Sequence, residues 1–191
     1  MRESDLQIIA FKSPKKWADW LAKNHSKSSG VWIQFFKKDS GVKSITHSEA
    51  LDEALCHGWI DGQANKHDEK SWLQKFTPRR SKSIWSKRNI EHTTRLIEAG
   101  KMKPSGLKEI EKAKTDGRWE RAYDSPSAMQ VPEDLLKHLS KNKKAKAFFE
   151  TLNKTNVYSI TWRLQTAKKP ETREKRLTAI MEMLRNGKKF H

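Results

Sequence analysis

Thr46-His47-Ser48-Glu49-Ala50-Leu51-Asp52-Glu53-Ala54-Leu55-Cys56-His57-Gly58-Trp59-Ile60-Asp61-Gly62-Gln63 holds a helix start, a helix stop and a strand start in succession. Thr46 and Glu49 form a capping box: the hydroxyl accepts from the Glu49 backbone N–H, and the carboxylate reaches back. Leu51, Ala54 and Leu55 then recur at helical spacing, and Gly58 is a helix stop. Trp59-Ile60 reads as strand, and Asp61-Gly62 as a turn or bulge. A capped helix running straight into a strand points to an α+β class.

Upstream, Ser13 caps and Pro14 starts a helix whose Trp17, Trp20 and Leu21 share a face, ending at Asn24 and His25. Gly30 to Phe36 reads as a buried strand, and Asp39-Ser40-Gly41 as a turn. Downstream, Ser71 to Phe76 is a strand, so about three strands make a small antiparallel or mixed sheet. Ser83 or Ser86 opens a helix ending at Gly100, and Pro104-Ser105 opens another ending near Gly117. Beyond the turn-rich Tyr123-Asp124-Ser125-Pro126-Ser127, the pattern is helical. Pro132 begins a short helix, and Lys143 to Leu152 forms the next, with Phe148, Phe149 and Leu152 inward. Val157, Ile160 and Leu164 form one stripe. Pro170 breaks the pattern, and Leu177, Ile180, Met181 and Leu184 form the last stripe. The expected class is α+β, predominantly helical, with the sheet in the N-terminal half and a C-terminal helical bundle. The expected division is an α+β domain over 1–124 and a basic helical subdomain over 125–191 packed on it.

The chain of 191 residues is long enough for a real core, since roughly 70% of the unfolded surface can be buried at this size. Mean hydropathy is −0.94 and hydrophobic content 35%, but eight Trp and seven Phe supply large apolar groups. Lys+Arg number 40 against Asp+Glu 23, a net charge of +17. Residues 1–136 hold 25 basic and 19 acidic residues, +6, and residues 137–191 hold 15 and 4, +11. No apolar run approaches the roughly 18 residues of a membrane span. The N-terminus, Met1 to Phe11, lacks the basic, apolar and cleavage regions of an export signal. The single cysteine, Cys56, cannot form an internal disulfide, so the cytoplasm is the expected compartment. No repeat, phosphate loop, dinucleotide fingerprint or nucleophile elbow is present. The seven histidines show no ligand spacing, so no metal or cofactor is expected. Cys56 and His57 are adjacent and point about 100° apart, which suits a structural thiol better than a nucleophile.

Three regions can carry chemistry. In Trp59-Ile60-Asp61-Gly62-Gln63 a carboxylate and an amide stand beside a ring at a sharp corner, where glycine allows close approach of a ligand. A hairpin turn with Trp59 in the core is the plain alternative. In Phe76-Thr77-Pro78-Arg79-Arg80-Ser81-Lys82-Ser83-Ile84-Trp85-Ser86-Lys87-Arg88-Asn89, two adjacent arginines precede a helix start, a combination that suits an anion. Trp85, Asn89 and His92 then share a helix face. A solvated loop, with one arginine paired to Asp61, is the alternative. The basic C-terminal helices carry Lys168, Lys169, Arg173, Lys175, Arg176 and Arg185, with Tyr158, Trp162 and Arg163 able to stack on bases. Solvated helix faces explain the same residues without a ligand.

Together these motifs resemble the YdeI/OmpD-associated family, also called the bacteriocin-protection family. The resemblance is carried by Gly30-Val31-Trp32, by Thr46 through Gln63, by Lys75 through Asn89, by Ala113 through Trp119 with Ala122-Tyr123, and by Arg163 through Lys168 with Pro170 through Arg173. It extends over nearly the whole chain. It implies association with an outer-membrane porin or defence against antimicrobial peptides, and it implies no reaction. Like charges repel, so a basic chain makes a poor trap for cationic peptides.

The expected function is therefore a non-enzymatic cytoplasmic binding protein with a role in stress or antimicrobial tolerance. Its anion pocket is expected from Trp59, Asp61, Gln63, Arg79, Arg80, Trp85 and Asn89. Arg79 and Arg80 hold a small anionic ligand or acidic partner, Asp61 orients an arginine, and the rings wall the pocket. Nucleic-acid binding through the C-terminal helices, and an enzyme with Asp61 as base, are the alternatives.

Overall fold

The structure is a computed structural model that describes residues 6–191. Residues 1–5 of the stretch read for an export signal lie outside it. The described chain divides into two units. Unit 1 holds residues up to Trp85 and Asn89–Ala122, and unit 2 holds Ser86–Arg88 and Tyr123–His191.

Unit 1 is built around a four-stranded mixed sheet in the order β1-β2-β4-β3. Strand β1 (Ile8–Ile9) runs parallel to β2 (Val31–Phe36), and β2 runs antiparallel to β4 (Ser71–Pro78). Strand β3 (Trp59–Lys66) pairs antiparallel with β4 and forms one edge of the sheet. Val31, Ile33 and Phe35 alternate along β2 onto one face, where they pack with Trp17 and Leu21 of α1 (Pro14–Asn24). Phe11, Trp59 and Phe76 complete this core, and Trp20 packs against it. Trp17 stacks on Trp20 at 5.3 Å and takes Phe76 edge-on at 5.7 Å. Two indole donors of this core are satisfied, Trp17 Nε1–H on Ala50 O at 3.0 Å and Trp59 Nε1–H on His25 O at 3.1 Å.

Helix α2 (His47–Cys56) is the layer in the middle. The capping box forms, with the Thr46 side chain on Glu49 N–H and Glu49 on Thr46 N–H. One side of the helix, Ala50 and Ala54, joins the sheet core. Leu51, Leu55 and Cys56 instead join a second core with Trp85, with Leu96 of α3 (Lys87–Glu98), and with Ile110 and Ala113 of α4 (Pro104–Thr115). Gly58 ends α2 at φ +77, a left-handed conformation that favours glycine.

Unit 2 is a helical bundle of α5 (Glu133–Ser140), α6 (Lys143–Glu150), α7 (Lys154–Gln165) and α8 (Pro170–Arg185). Leu135, Leu139, Ala145, Ile160, Leu164, Leu177, Ile180 and Leu184 form its core. Asn142 and Asn153 cap α6 and α7 through their side chains. Pro170 stands at the first position of α8, so it starts a helix there. The Arg173 guanidinium grips Asp134 through Nε and Nη2 at 2.7 and 2.9 Å and donates from Nη1 to Leu164 O at 2.7 Å. That one side chain ties α5, α7 and α8 together.

The α+β class with helix predominant is thus what the chain forms. The sheet has a fourth strand beyond the three expected, because β1 is two residues long and exists only by pairing with Trp32 and Ile33. Asp61-Gly62 is not a chain reversal. Strand β3 runs through it, with a register irregularity between Asp61 and Ala64. No helix among the described residues is long and apolar enough to cross a membrane.

Candidate functional site

The W-I-D-G-Q segment splits along its strand. Trp59 is buried in the sheet core and meets Trp20 at 5.7 Å. Gln63 is exposed on the sheet edge, with its Nε2–H on Asn65 Oδ1. Asp61 stands opposite Phe76 on β4, and its Oδ2 lies 3.2 Å from His47 Nε2. His47 is the first residue of α2, so the capping box that starts this helix also brings the imidazole to Asp61.

The F-T-P-R-R segment divides between its two arginines. Arg79 N–H bonds to Gly58 O, so it continues the β3–β4 ladder by one step. Asp61 is three residues from Gly58, as Arg79 is from Phe76. These odd offsets place Asp61 and Arg79 on opposite faces of the sheet. The Arg79 guanidinium lies 3.6 Å from the ring centroid of buried Trp85, a cation–π contact worth about 2 kcal/mol when desolvated. Trp119 packs on Trp85 at 5.0 Å. A second buried arginine, Arg118, pairs with Asp116 at 2.7 Å and donates to Ser83 O at 2.9 Å, while Arg79 Nη1 reaches Ile84 O at 3.4 Å. These two guanidinium groups therefore fix the Ser83–Ile84 turn from inside. Arg80 is exposed, and its N–H bonds to Ser83 Oγ. Helix α3 begins at Lys87, so Trp85 precedes it and does not share its face with Asn89. Asn89 is half-buried on α3, and its carbonyl accepts from Thr93 Oγ1.

The structure thus brings Arg79 and Trp85 together. Trp59 and Trp85 belong to different core clusters, and Asp61 is spent on His47. His92, read on the same face as Trp85, instead meets Asp52 at 2.8 Å, with Arg95 on the same carboxylate at 2.7 Å. Burial raises the Asp52 pKa, but hydrogen bonds from Arg95 and His92 outweigh it and hold Asp52 below the ordinary carboxylate value. Burial, then the nearby Glu53 and Asp52 charges, push the Cys56 thiol up to about 11. That thiol is inert near neutral pH.

Asp61 leads to a cavity that neither motif shows. Between the end of β2 and the start of α2 lies a space of about 310 Å³. His47 lines it with Lys37, Lys38 and Lys43, over an apolar floor that includes Phe35 and Trp72. These two rings stack at 4.8 Å, and His47 lies 5.9 Å from Trp72. No carboxylate lines the cavity. Lys37 Nζ–H donates to Glu69 O at 2.7 Å, while the Lys38 and Lys43 ammonium groups have no partner among the described residues. Lys38 sits on the 3-10 turn Lys38–Ser40, and Gly41, at φ +72, returns the chain so that Lys43 faces the same space. In the sequence this segment reads only as a lysine-flanked turn. A paired imidazole and two unpaired ammonium groups over aromatic rings can hold a small anion. No group of three or more His, Cys, Asp or Glu that could hold a metal ion occurs among the described residues.

The molecule is an α+β unit with a basic, aromatic-floored cavity, followed in sequence by a four-helix unit. The chain belongs to the family described as Domain of unknown function (DUF8412), whose model matches residues 9–109, more than half of its length. Residues 128–187 match a second model, Bacteriocin-protection, YdeI or OmpD-Associated. The family resemblance is therefore shown over that part. The Gly30, Thr46–Gln63 and Lys75–Asn89 motifs quoted for it fall within the first model instead. No curated protein and no solved structure matches the chain.

Proposed function

We propose that this is a non-enzymatic binding protein whose ligand is a small anion, held in the cavity between β2 and α2. The observation that carries the reading is a cavity lined by three lysines and His47 and by no carboxylate. Asp61 keeps a role in it, by fixing the His47 ring at 3.2 Å. Lys38 and Lys43 supply the charge, and Phe35 and Trp72 supply a floor for an apolar or planar part of the ligand. The pocket is thus displaced from Arg79 and Trp85, which support the turn beneath them. The match of residues 128–187 to the bacteriocin-protection model supports a role in stress or antimicrobial tolerance. The proposed compartment is the cytoplasm, because the one cysteine is free and buried.

Calorimetric titration of the full chain with inorganic phosphate, citrate and a nucleoside monophosphate tests the reading. Saturable binding of at least one, weakened by Lys38→Ala and Lys43→Ala, is expected. Heats that stay at dilution level for all three, or affinities indifferent to both substitutions, refute it. Nucleic-acid binding is the lesser reading. It is favoured by the +11 on residues 137–191, but Arg163, Arg173 and Arg176 already donate to carbonyls inside unit 2. Retention of RNA or DNA on filters at about 50 mM salt, steeply lost on raising salt, would favour it instead.

A further inference from the structure

Unit 2 contains a cavity of about 330 Å³ that the reading above does not use. Such a volume lies within the roughly 300–1,000 Å³ of small-molecule sites. Its apolar walls are Trp162 of α7, Ile180 of α8 and Phe190, and exposed Ala179 stands at its rim. Two half-buried arginines, Arg163 and Arg176, complete the lining.

Both arginines are held in place by their Nη1 atoms. Arg163 Nη1 donates to Ser159 O at 3.0 Å, and the guanidinium lies 3.8 Å from the Phe190 ring centroid. Arg176 Nη1 donates to Arg163 O at 2.6 Å and to Thr166 Oγ1 at 3.3 Å. A guanidinium carries five N–H donors. The Nε and Nη2 donors of both side chains have no partner among the described residues, and neither arginine forms an ion pair there. Arg173, three residues before Arg176, grips Asp134 with those same two atoms. Two cations thus share one apolar space with no counter-charge.

We infer that this cavity is a binding site for a small monocarboxylate with an aromatic or short acyl body. The carboxylate takes paired N–H bonds from an arginine, the geometry for which the guanidinium fork is suited. The apolar body packs between Trp162, Ile180 and Phe190. A fully hydrated anion such as inorganic phosphate satisfies the charge but leaves those walls uncovered. The inference is independent of the lysine cavity of unit 1.

The test is calorimetry on the full chain with 3-phenylpropionate, set against 3-phenylpropanamide, acetate and inorganic phosphate. The expected result is saturable binding of 3-phenylpropionate, with each of the other three weaker by at least about tenfold. Arg176→Gln is expected to weaken it by at least about tenfold. Ala179→Leu fills the rim from an exposed helix position, so it should block binding while leaving thermal unfolding unchanged, and it decides the matter if Arg176→Gln fails to fold. These titrations are run in the Lys38→Ala/Lys43→Ala chain, which removes the charge of the unit 1 cavity, so that the heats read unit 2 alone. Absence of saturable binding at millimolar 3-phenylpropionate overturns the inference. So does equal binding of the amide or of phosphate, or full affinity in Ala179→Leu.

Discussion

Gly106→Ala should destabilise unit 1, although alanine is the better helix former. Gly106 lies in the first turn of α4, where the chain passes over the end of α2. A Cβ there would stand 2.3 Å from Cys56 O, 2.7 Å from Leu55 O and 2.8 Å from Cys56 C. All three atoms are backbone, so no side chain can swing aside. An ordinary carbon–oxygen contact needs about 3.3 Å, so α4 must retreat by roughly 1 Å. The retreat loosens Ile110 and Ala113 from Leu51, Leu55 and Cys56, and stretches the Lys103 N–H bond to Cys56 O, now 3.1 Å. Overpacking costs about 1–3 kcal/mol and a weakened hydrogen bond about 1 kcal/mol. The gain in helix propensity returns about 1 kcal/mol. The net expectation is a loss of about 2 kcal/mol, or a fall of roughly 1 M in the urea midpoint. Tryptophan fluorescence is the assay, because seven of the eight tryptophans lie in unit 1. Gly62→Ala is the control: its Cβ would meet nothing closer than 3.8 Å, and its midpoint should barely move. A Gly106→Ala midpoint equal to or above that of the parent chain refutes the close approach of α4 to α2.

Cys56 should resist a thiol reagent at neutral pH in the native chain and react within minutes in denaturant; fast native labelling would contradict its burial at 2% exposure and its raised pKa. Burial holds the His57 imidazole below its ordinary value, while its Nδ1–H donates to Glu53 O at 2.9 Å. Between that lowered value and about 6.5 the unfolded chain binds more protons, so this group's share of stability falls on acidification through the window. Urea midpoints against pH should therefore slope less in His57→Gln than in the parent, and equal slopes would contradict this. The Arg173 hydrogen bond holds Asp134 below the ordinary carboxylate value, so its contribution is present above about pH 3.9 and is lost as pH falls through the lower folded value. Arg173→Leu should cost unit 2 about 1–3 kcal/mol near neutral pH, read by circular dichroism, and shrink that acid-linked loss. An unchanged unit 2 transition would remove the tie between α5, α7 and α8.

What the sequence makes legible is what is decided locally. The Thr46–Glu49 box, the Leu51–Ala54–Leu55 stripe and Gly58 each act within a turn of helix, and α2 follows from them. Strand β1 depends on partners more than twenty residues away, and nothing in Ile8-Ile9 itself announces it. The far half of β3 is a polar, exposed edge without alternation, so it reads as loop. The site residues divide in the same way. Arg79 and Arg80 are adjacent and chemically identical, yet one lies over Trp85 and the other faces solvent. The β4 register decides that, and it is a tertiary property. Lys38 and Lys43 lie outside every motif and His47 stands in its motif only as part of the helix start, because folding alone brings that turn and helix start together. Asp61 was visible as an unusual carboxylate, but its histidine partner was not.

Titration with citrate, followed by amide chemical shifts, reads whether the lysine cavity holds a small anion. Binding there should give saturable shifts concentrated on Lys38 and on Lys43 through His47, abolished in Lys38→Ala/Lys43→Ala. Shifts that rise linearly and spread over lysines of the whole surface, unchanged by that double substitution, would contradict it.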